Sequence, residues 1–210
     1  MTMLYRLDAP SGTVARTFGA AAGDDPWAGG YAAPGRFAPV ITAGREAVAG
    51  PRPPRTPRRM VPRLWGVPPP PSAHDPTRLV SHVAKADSPF WIGNLRNSEF
   101  RCLVPATCFI EWGAGTDVEG RRERYAITCT DQPIMALAGV WKDSEVPSFA
   151  LLTCPANPRL KGLGRARMPV ILRGDEAQQC WLRSEWRAAE ALLKPAPDDS
   201  LHARLLDDFA

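Results

Sequence analysis

Apolar and polar residues alternate at Leu4-Tyr5-Arg6-Leu7, a strand period that begins almost at the first residue. Pro10-Ser11 followed by Val14, Ala15 and Phe18 has helical spacing, closed by Gly19. Ala20 to Gly35, rich in Ala, Gly, Asp and Pro, reads as a surface loop. Arg36 to Thr42 reads as a strand that Pro39 assigns to a sheet edge. Pro51–Pro57 is too proline-rich for helix or inner strand and is expected to be an extended loop. Met60 to Val67 is a strand stopped by Pro68–Pro71, and Leu79–Ala84 is a further strand. Ser88-Pro89-Phe90-Trp91 opens a short helix with proline in its first turn.

From Ser98 to Trp112 the chain begins as a buried strand, turns at Pro105, and sets one carboxylate, Glu111, between Ile110 and Trp112. Gly113–Arg122 is a polar, Gly-rich turn. Strands follow at Arg124–Cys129, Ile134–Trp141, Phe149–Cys154 and Met168–Leu172. One or two helical turns fit Asn157–Leu163, and helical spacing recurs at Asp175–Leu182 and Glu185–Leu193 before a polar C-terminus. The pattern predicts one α+β domain: a mostly antiparallel sheet closing toward a barrel, with short peripheral helices. Residues 1–193 form that domain and 194–210 a C-terminal tail.

A chain of 210 residues can bury a real core, and 44% hydrophobic with 23% charged residues argues against wholesale disorder. No apolar run reaches membrane-spanning length and the first residues lack a secretory pattern, so a cytoplasmic protein without a membrane partner is expected. Five cysteines, at 102, 108, 129, 154 and 180, form no CxxC pair and no Cys/His cluster. Reduced thiols are therefore expected rather than disulfides or a metal site, and no cofactor is implied. A net charge of +4 demands no nucleic acid by itself. Arg52, Arg55, Arg58, Arg59 and Arg63, with no acidic residue among them, are a local exception. Prolines between the first of them would keep the guanidinium groups apart along a DNA backbone; a solvated loop is the alternative.

Glu111 admits two readings. Flanked by large apolar residues, its charged form would be disfavoured, making it a proton donor or acceptor near neutral pH. Alternatively it lies on the solvent face of an alternating strand, with Ile110 and Trp112 inward.

Several blocks together resemble one family. They are Met1-Thr2-Met3-Leu4-Tyr5-Arg6-Leu7, Trp65-Gly66-Val67-Pro68, Ser88-Pro89-Phe90-Trp91, Arg101-Cys102-Leu103-Val104-Pro105-Ala106 with Phe109-Ile110-Glu111-Trp112, Ala136–Trp141, and Met168-Pro169-Val170-Ile171-Leu172. In this order and spacing they resemble the SRAP family, the SOS-response-associated peptidases that process abasic sites in single-stranded DNA. The resemblance implies a mature N-terminal cysteine whose amine and thiol capture the abasic-site aldehyde. It also implies an asparagine, a glutamate and a histidine around that aldehyde, arginines on flanking phosphates, an apolar wedge between bases, and self-cleavage of the initiator methionine.

The match is incomplete at the chemistry. Thr2 stands at the cysteine, His82 at the asparagine and Ala84 at an arginine, and Gly164 or Arg165 takes the place of the histidine. Glu111 alone is retained. The candidate catalytic residues are Thr2, His82 and Glu111. An unprotonated Thr2 amine could still form an imine, although its hydroxyl closes a ring poorly; the alternative is that Thr2 is merely the start of a strand. His82 is a possible acid or base, or an ordinary strand residue. The candidate DNA contacts are Arg58, Arg59, Arg165, Arg167, Trp65 and Trp91, with the tryptophans also fitting a core. The expected function is a divergent SRAP monomer binding single-stranded or abasic DNA with its crosslinking and self-cleavage weakened or lost. The alternatives are an inactive binding module for a protein or small ligand, and a pocket reorganised for another hydrolytic or transfer reaction.

Overall fold

Strand-period alternation along most of the chain leaves one apolar face per strand to be covered, and two sheets cover one another. The computed structural model describes residues 4–44, 56–116 and 119–206. In chain order the strands are β1 (Leu4–Leu7), β2 (Ala20–Ala21), β3 (Gly30–Ala32), β4 (Phe37–Thr42), β5 (Arg58–Trp65), β6 (His82–Val83) and β7 (Arg101–Ala106). They continue as β8 (Cys108–Thr116), β9 (Arg122–Cys129), β10 (Met135–Lys142), β11 (Ser148–Pro155), β12 (Arg167–Pro169) and β13 (Leu201–Leu205). Short helices α1 (Ser11–Thr17), α2 (Ile92–Arg96), α3 (Pro158–Gly162), α4 (Gly174–Arg183) and α5 (Trp186–Glu190) lie between them.

One sheet has the antiparallel order β13-β9-β8-β1-β3. The other runs β12-β11-β10-β7-β4-β5-β2, and a parallel pairing of β5 with β11 bends it back on itself. The result is a ring-like sheet rather than a barrel. Its β4–β7 seam is the single bridge Ile41–Leu103, and its β5–β11 seam is two residue pairs, Leu64–Ser148 and Trp65–Phe149. The α+β class is as expected; the closure is looser. Between the sheets lies one core that includes Tyr5, Leu7, Trp65, Leu103, Phe109, Ile127, Leu137, Phe149 and Trp181, all buried. Trp181 of α4 donates from Nε1 to the carbonyls of Cys102 (3.0 Å) and Gly139 (3.3 Å), fixing that helix against β7 and β10.

Several expectations need correction. The break in the Ser98–Trp112 stretch falls at Thr107, not Pro105; Pro105 lies within β7, opposite Ala136. Neither is β4 an edge: it sits between β5 and β7. Both prolines are tolerated because β4 and β7 bridge only at Ile41–Leu103, so few donors are required along that seam. The 20–35 segment holds two short strands and is pinned by Trp27, whose Nε1 donates to the Leu7 carbonyl at 3.2 Å. The strand placed at Leu79–Ala84 shrinks to His82–Val83 plus a bridge from Val80 to Val67. The Gly-rich stretch after Trp112 continues β8 to Thr116, with an irregularity in its pairing to β9. The supposed C-terminal tail contains β13, paired with β9 from Leu201–Cys129 to Leu205–Tyr125. Its polar look comes from His202 and Arg204, which alternate with buried Leu201 and half-buried Ala203. The Pro51–Pro57 loop, as far as residue 55, lies outside the described residues.

Gly139 is held to its size by neighbours: an added Cβ would lie 2.8 Å from both Cys102 Sγ and Val104 Cγ2. Gly139→Ala is expected to destabilise the fold by about 1–3 kcal/mol through overpacking, read as a lower urea midpoint with an unchanged slope.

Candidate functional site

Strand register decides which way Glu111 points. Tyr5 pairs with Phe109 and Phe109 with Ile127, so these three share the inner face. Glu111, two residues on from Phe109, shares it too. Ile110 takes the opposite face, with Cys108, Ala126 and half-buried Leu4 and Leu206. The solvent-face reading is therefore reversed: Glu111 is 1% exposed. It borders a void of about 10 Å³ whose other walls include Tyr5, Trp65, Phe109, Leu151 and Pro169. Burial in these apolar surroundings pushes its carboxyl up to about 7, against the opposing pull of Arg165. Glu111 Oε2 has no hydrogen-bond partner among the described residues, and Arg165 Nη1 approaches it at 3.6 Å. This is an ion pair without hydrogen-bond geometry.

Arg165 reaches this position through the turn after α3. Asn157 caps that helix, its Oδ1 accepting from Leu160 N at 3.1 Å. Gly164 then takes φ of 76°, in the left-handed region, and Arg165 N donates to the Leu160 carbonyl at 2.9 Å. A Cβ on Gly164 would lie 3.4 Å from that of Ala114, so the turn sits directly against β8. At the spot where the resemblance expects a histidine, Gly164 makes the turn and Arg165 supplies the side chain.

His82 arrives from β6, paired in parallel with Leu151 of β11, and Leu151 lines the void beside Glu111. Its Nδ1 is 2.8 Å from Ser81 Oγ. If the serine hydroxyl donates, the proton is directed to Nε2. Burial, reinforced by the positive fields of Arg78 and Arg167, lowers His82 to about 4. At neutral pH the imidazole of His82 is therefore neutral and the Glu111 carboxyl is near its own midpoint. Sequence reasoning missed Ser81; its position beside His82 was the available signal.

The remaining candidates divide. Arg167 is bound to the scaffold: Nε donates to Thr153 Oγ1 at 3.0 Å and Nη2 to the carbonyls of Ala84 (3.0 Å) and Thr153 (2.5 Å). Arg58 is buried, donating to the Phe18 carbonyl (2.9 Å), Gln178 Oε1 (3.3 Å) and Asp175 Oδ1 (2.6 Å), so it ties β5 to α4 instead of facing solvent. Trp65 is 1% exposed, rings packed against Tyr5 and Phe149, with Nε1 donating to the Ser81 carbonyl. Trp91 is 4% exposed, edge-on to Phe90. Neither tryptophan presents a free face to a base; both are core residues here. Arg59 is exposed, and Arg63 lies over the Trp141 ring at 4.8 Å. Thr2, Arg52 and Arg55 lie outside the described residues. No group of three or more His, Cys, Asp or Glu side chains suited to a metal ion occurs among the described residues. Nor is any helix there long and apolar enough to cross a membrane.

A family model described as SOS response associated peptidase (SRAP) matches residues 1–208. Among solved structures, a protein from Bacteroides thetaiotaomicron is similar at a TM-score of 0.75 and 20% identity, over 98% of this chain and 92% of that one. A protein from Bordetella bronchiseptica is similar at 0.75 and 20%, over 98% and 99%. A phage-related protein from the same organism is similar at 0.69 and 17%, over 99% and 95%. At such identities the likeness is one of fold. No curated protein matches the chain.

The two shifted groups oppose one another in stability. Glu111 sits near 7 when folded against an ordinary 4.5, so the folded state keeps a proton the unfolded chain sheds, and stability falls as pH rises from 4.5 toward 7. His82 sits near 4 against 6.5, so stability falls as pH drops from 6.5 toward 4. Glu111→Gln is expected to leave a stability that rises with pH over that lower window. His82→Asn should leave one that falls toward pH 7, each by roughly 2–3 kcal/mol in urea titrations. Unchanged slopes in both variants would refute the assignment.

Proposed function

The chain belongs to the SRAP family, the SOS response associated peptidases, and from that premise we propose that it is a divergent member that binds single-stranded DNA, abasic sites included. Its crosslinking and self-cleavage are weakened or lost. The observation that carries this reading is Glu111: an inward-facing carboxyl pushed to about 7, at the position where the resemblance expects the family's glutamate. With Met1 removed, the Thr2 amine would add to an abasic-site aldehyde, and protonated Glu111 would donate as the carbinolamine loses water to give the imine. A threonine hydroxyl is a poor ring-closing partner compared with a thiolate, so the adduct is reversible. Arg165, partly exposed and paired with Glu111 at 3.6 Å, supplies a positive group for a flanking phosphate.

One observation favours a second reading, an inactive binding module for a protein or small ligand. Arg58, Trp65 and Trp91 are buried, and Arg167, though half-buried, spends its guanidinium on Thr153 and Ala84, so four of the six expected DNA contacts serve the scaffold.

Intact mass and borohydride trapping separate the two. Retention of Met1 ends the amine mechanism. With Met1 gone, abasic single-stranded DNA plus borohydride should give a covalent product that Glu111→Gln reduces by at least about tenfold. Salt-dependent binding to single strands without trapped product would leave a noncovalent DNA binder. Absence of both would favour the binding module. Thr2→Cys should convert a trapped imine to a stable crosslink; failure there would mean the pocket no longer accepts an abasic site.

A further inference from the structure

We propose that the cleft between α1, the start of β5 and α4 binds a small hydroxylated phosphate ester, whose phosphate takes the place of Asp175 on Arg58. The inference goes beyond the family reading and does not depend on the Glu111 site. Strand β5 runs from Arg58 in this cleft to Trp65 beside the Glu111 void, a span of about 23 Å at the usual rise of a strand.

The cleft has a volume of about 720 Å³, and its walls include Thr17, Thr56, Arg58, Asp175, Gln179 and Arg183. That volume suits a small organic ligand and is more than a lone inorganic anion fills. A second cavity, of about 440 Å³, shares Thr17, Phe18 and Asp175 with it, so Asp175 borders both. The walls are tied together by the arginines. Arg183 Nε donates to Gln179 Oε1 at 3.1 Å and its Nη2 to the Thr56 carbonyl at 2.5 Å, joining α4 to the chain just before β5. Arg58 Nη1 donates to the Phe18 carbonyl at the end of α1 and to Gln178 Oε1 of α4.

Arg58 carries the argument. Nε and Nη2 form the edge of a guanidinium that grips two oxygens of one carboxylate or phosphate. Here that edge is half used. Nη2 donates to Asp175 Oδ1 at 2.6 Å, while Nε is buried and has no hydrogen-bond partner among the described residues. The pair is also unequally solvated: the Arg58 side chain is 6% exposed and that of Asp175 72%. The cation is therefore fixed in the wall, whereas its carboxylate stands in water and is free to turn outward. An exposed carboxylate gives up little on leaving, but a buried guanidinium that loses its counter-charge needs another. A phosphate that meets both Nε and Nη2 supplies that charge and satisfies the orphaned donor. Two arginines in one cleft favour a doubly charged group over a single carboxylate. Thr17 Oγ1 already donates to the Thr13 carbonyl at 3.0 Å, so it remains an acceptor for a ligand hydroxyl.

The test titrates the full-length protein calorimetrically with adenosine monophosphate, ribose 5-phosphate, inorganic phosphate and succinate. At least one of the two esters should bind about tenfold more tightly than phosphate or succinate. Asp175→Asn, which removes the competing charge, should tighten that binding severalfold. Arg58→Lys, which keeps the charge and loses the two-pronged edge, should weaken it about tenfold, with folding followed by near-ultraviolet dichroism. Should Arg58→Lys not fold, a crystal structure of the wild type with the ester decides. Phosphate oxygens are then expected within hydrogen-bond distance of Arg58 Nε and Nη2, with Asp175 turned to solvent. No heat from either ester at millimolar concentration, an Asp175→Asn variant that binds no more tightly, or a phosphate seated away from Arg58 would overturn the proposal. So would equal affinity for the esters and inorganic phosphate, which would mean an adventitious ion only.

Discussion

The backbone from Arg101 to Thr116 is hydrogen-bonded into both sheets, and the rest of the structure is arranged around that sharing. Its first half, β7, lies inside the ring-like sheet beside β10; its second half, β8, lies inside the five-stranded sheet between β1 and β9. Thr107 makes the transfer, its N–H and hydroxyl both donating to the Arg6 carbonyl while Asp8 N donates to its oxygen. Side chains alternate strictly along a strand, so the pairing of Tyr5 with Phe109 leaves Glu111 no direction but inward. A one-residue slip would turn Ile110 toward the void and carry the carboxylate to the opposite face, beside Leu4 and Leu206. The chemistry of the candidate site is thus a consequence of register, and register is set by two sheets at once.

Among the described residues three charged ones are buried, Arg58, Arg101 and Glu111, each accommodated differently. Arg58 donates to three acceptors and links β5 to α4, so its removal would leave the buried Gln178 without that donor. Arg101 is matched to a helix terminus and an aromatic face, with donors left over. Glu111 is the least compensated, with one arginine at 3.6 Å and an apolar wall. An acid held this way changes protonation state around neutrality because neither form is well accommodated.

Much of the sheet was legible in the sequence because period-two alternation is a local signal: β1, β9, β10 and β11 fall within a residue or two of their expected bounds. The errors share a cause. Pro39 and Pro105 were read by the rule for laddered strands, but the rule depends on neighbours, and the seam between β4 and β7 is nearly bare. The outer strand β13 alternates with polar residues outward, which in isolation resembles a tail. At the site, Glu111 was found from its apolar flanks while its direction was not, since direction is a property of pairing. The roles of Arg58 and Arg167 as scaffold residues could not be read locally either: their acceptors at Asp175 and Ala84 lie far along the chain.

The ring-like sheet also bears on how the chain reaches this state. Its parallel seam joins Leu64 and Trp65 to Ser148 and Phe149, on the far side of the ring from β4, β7 and β10, and so closes a long loop of the chain. Entropy lost in closing so long a loop is returned only when the seam forms, a cost that local contacts within one hairpin do not carry. Until then Trp65 and Phe149, whose rings stack across the seam at 6.1 Å, remain uncovered, and with them the wall that keeps water away from Glu111. The altered proton affinity of the carboxyl therefore depends on closure of this distant seam as well as on β8.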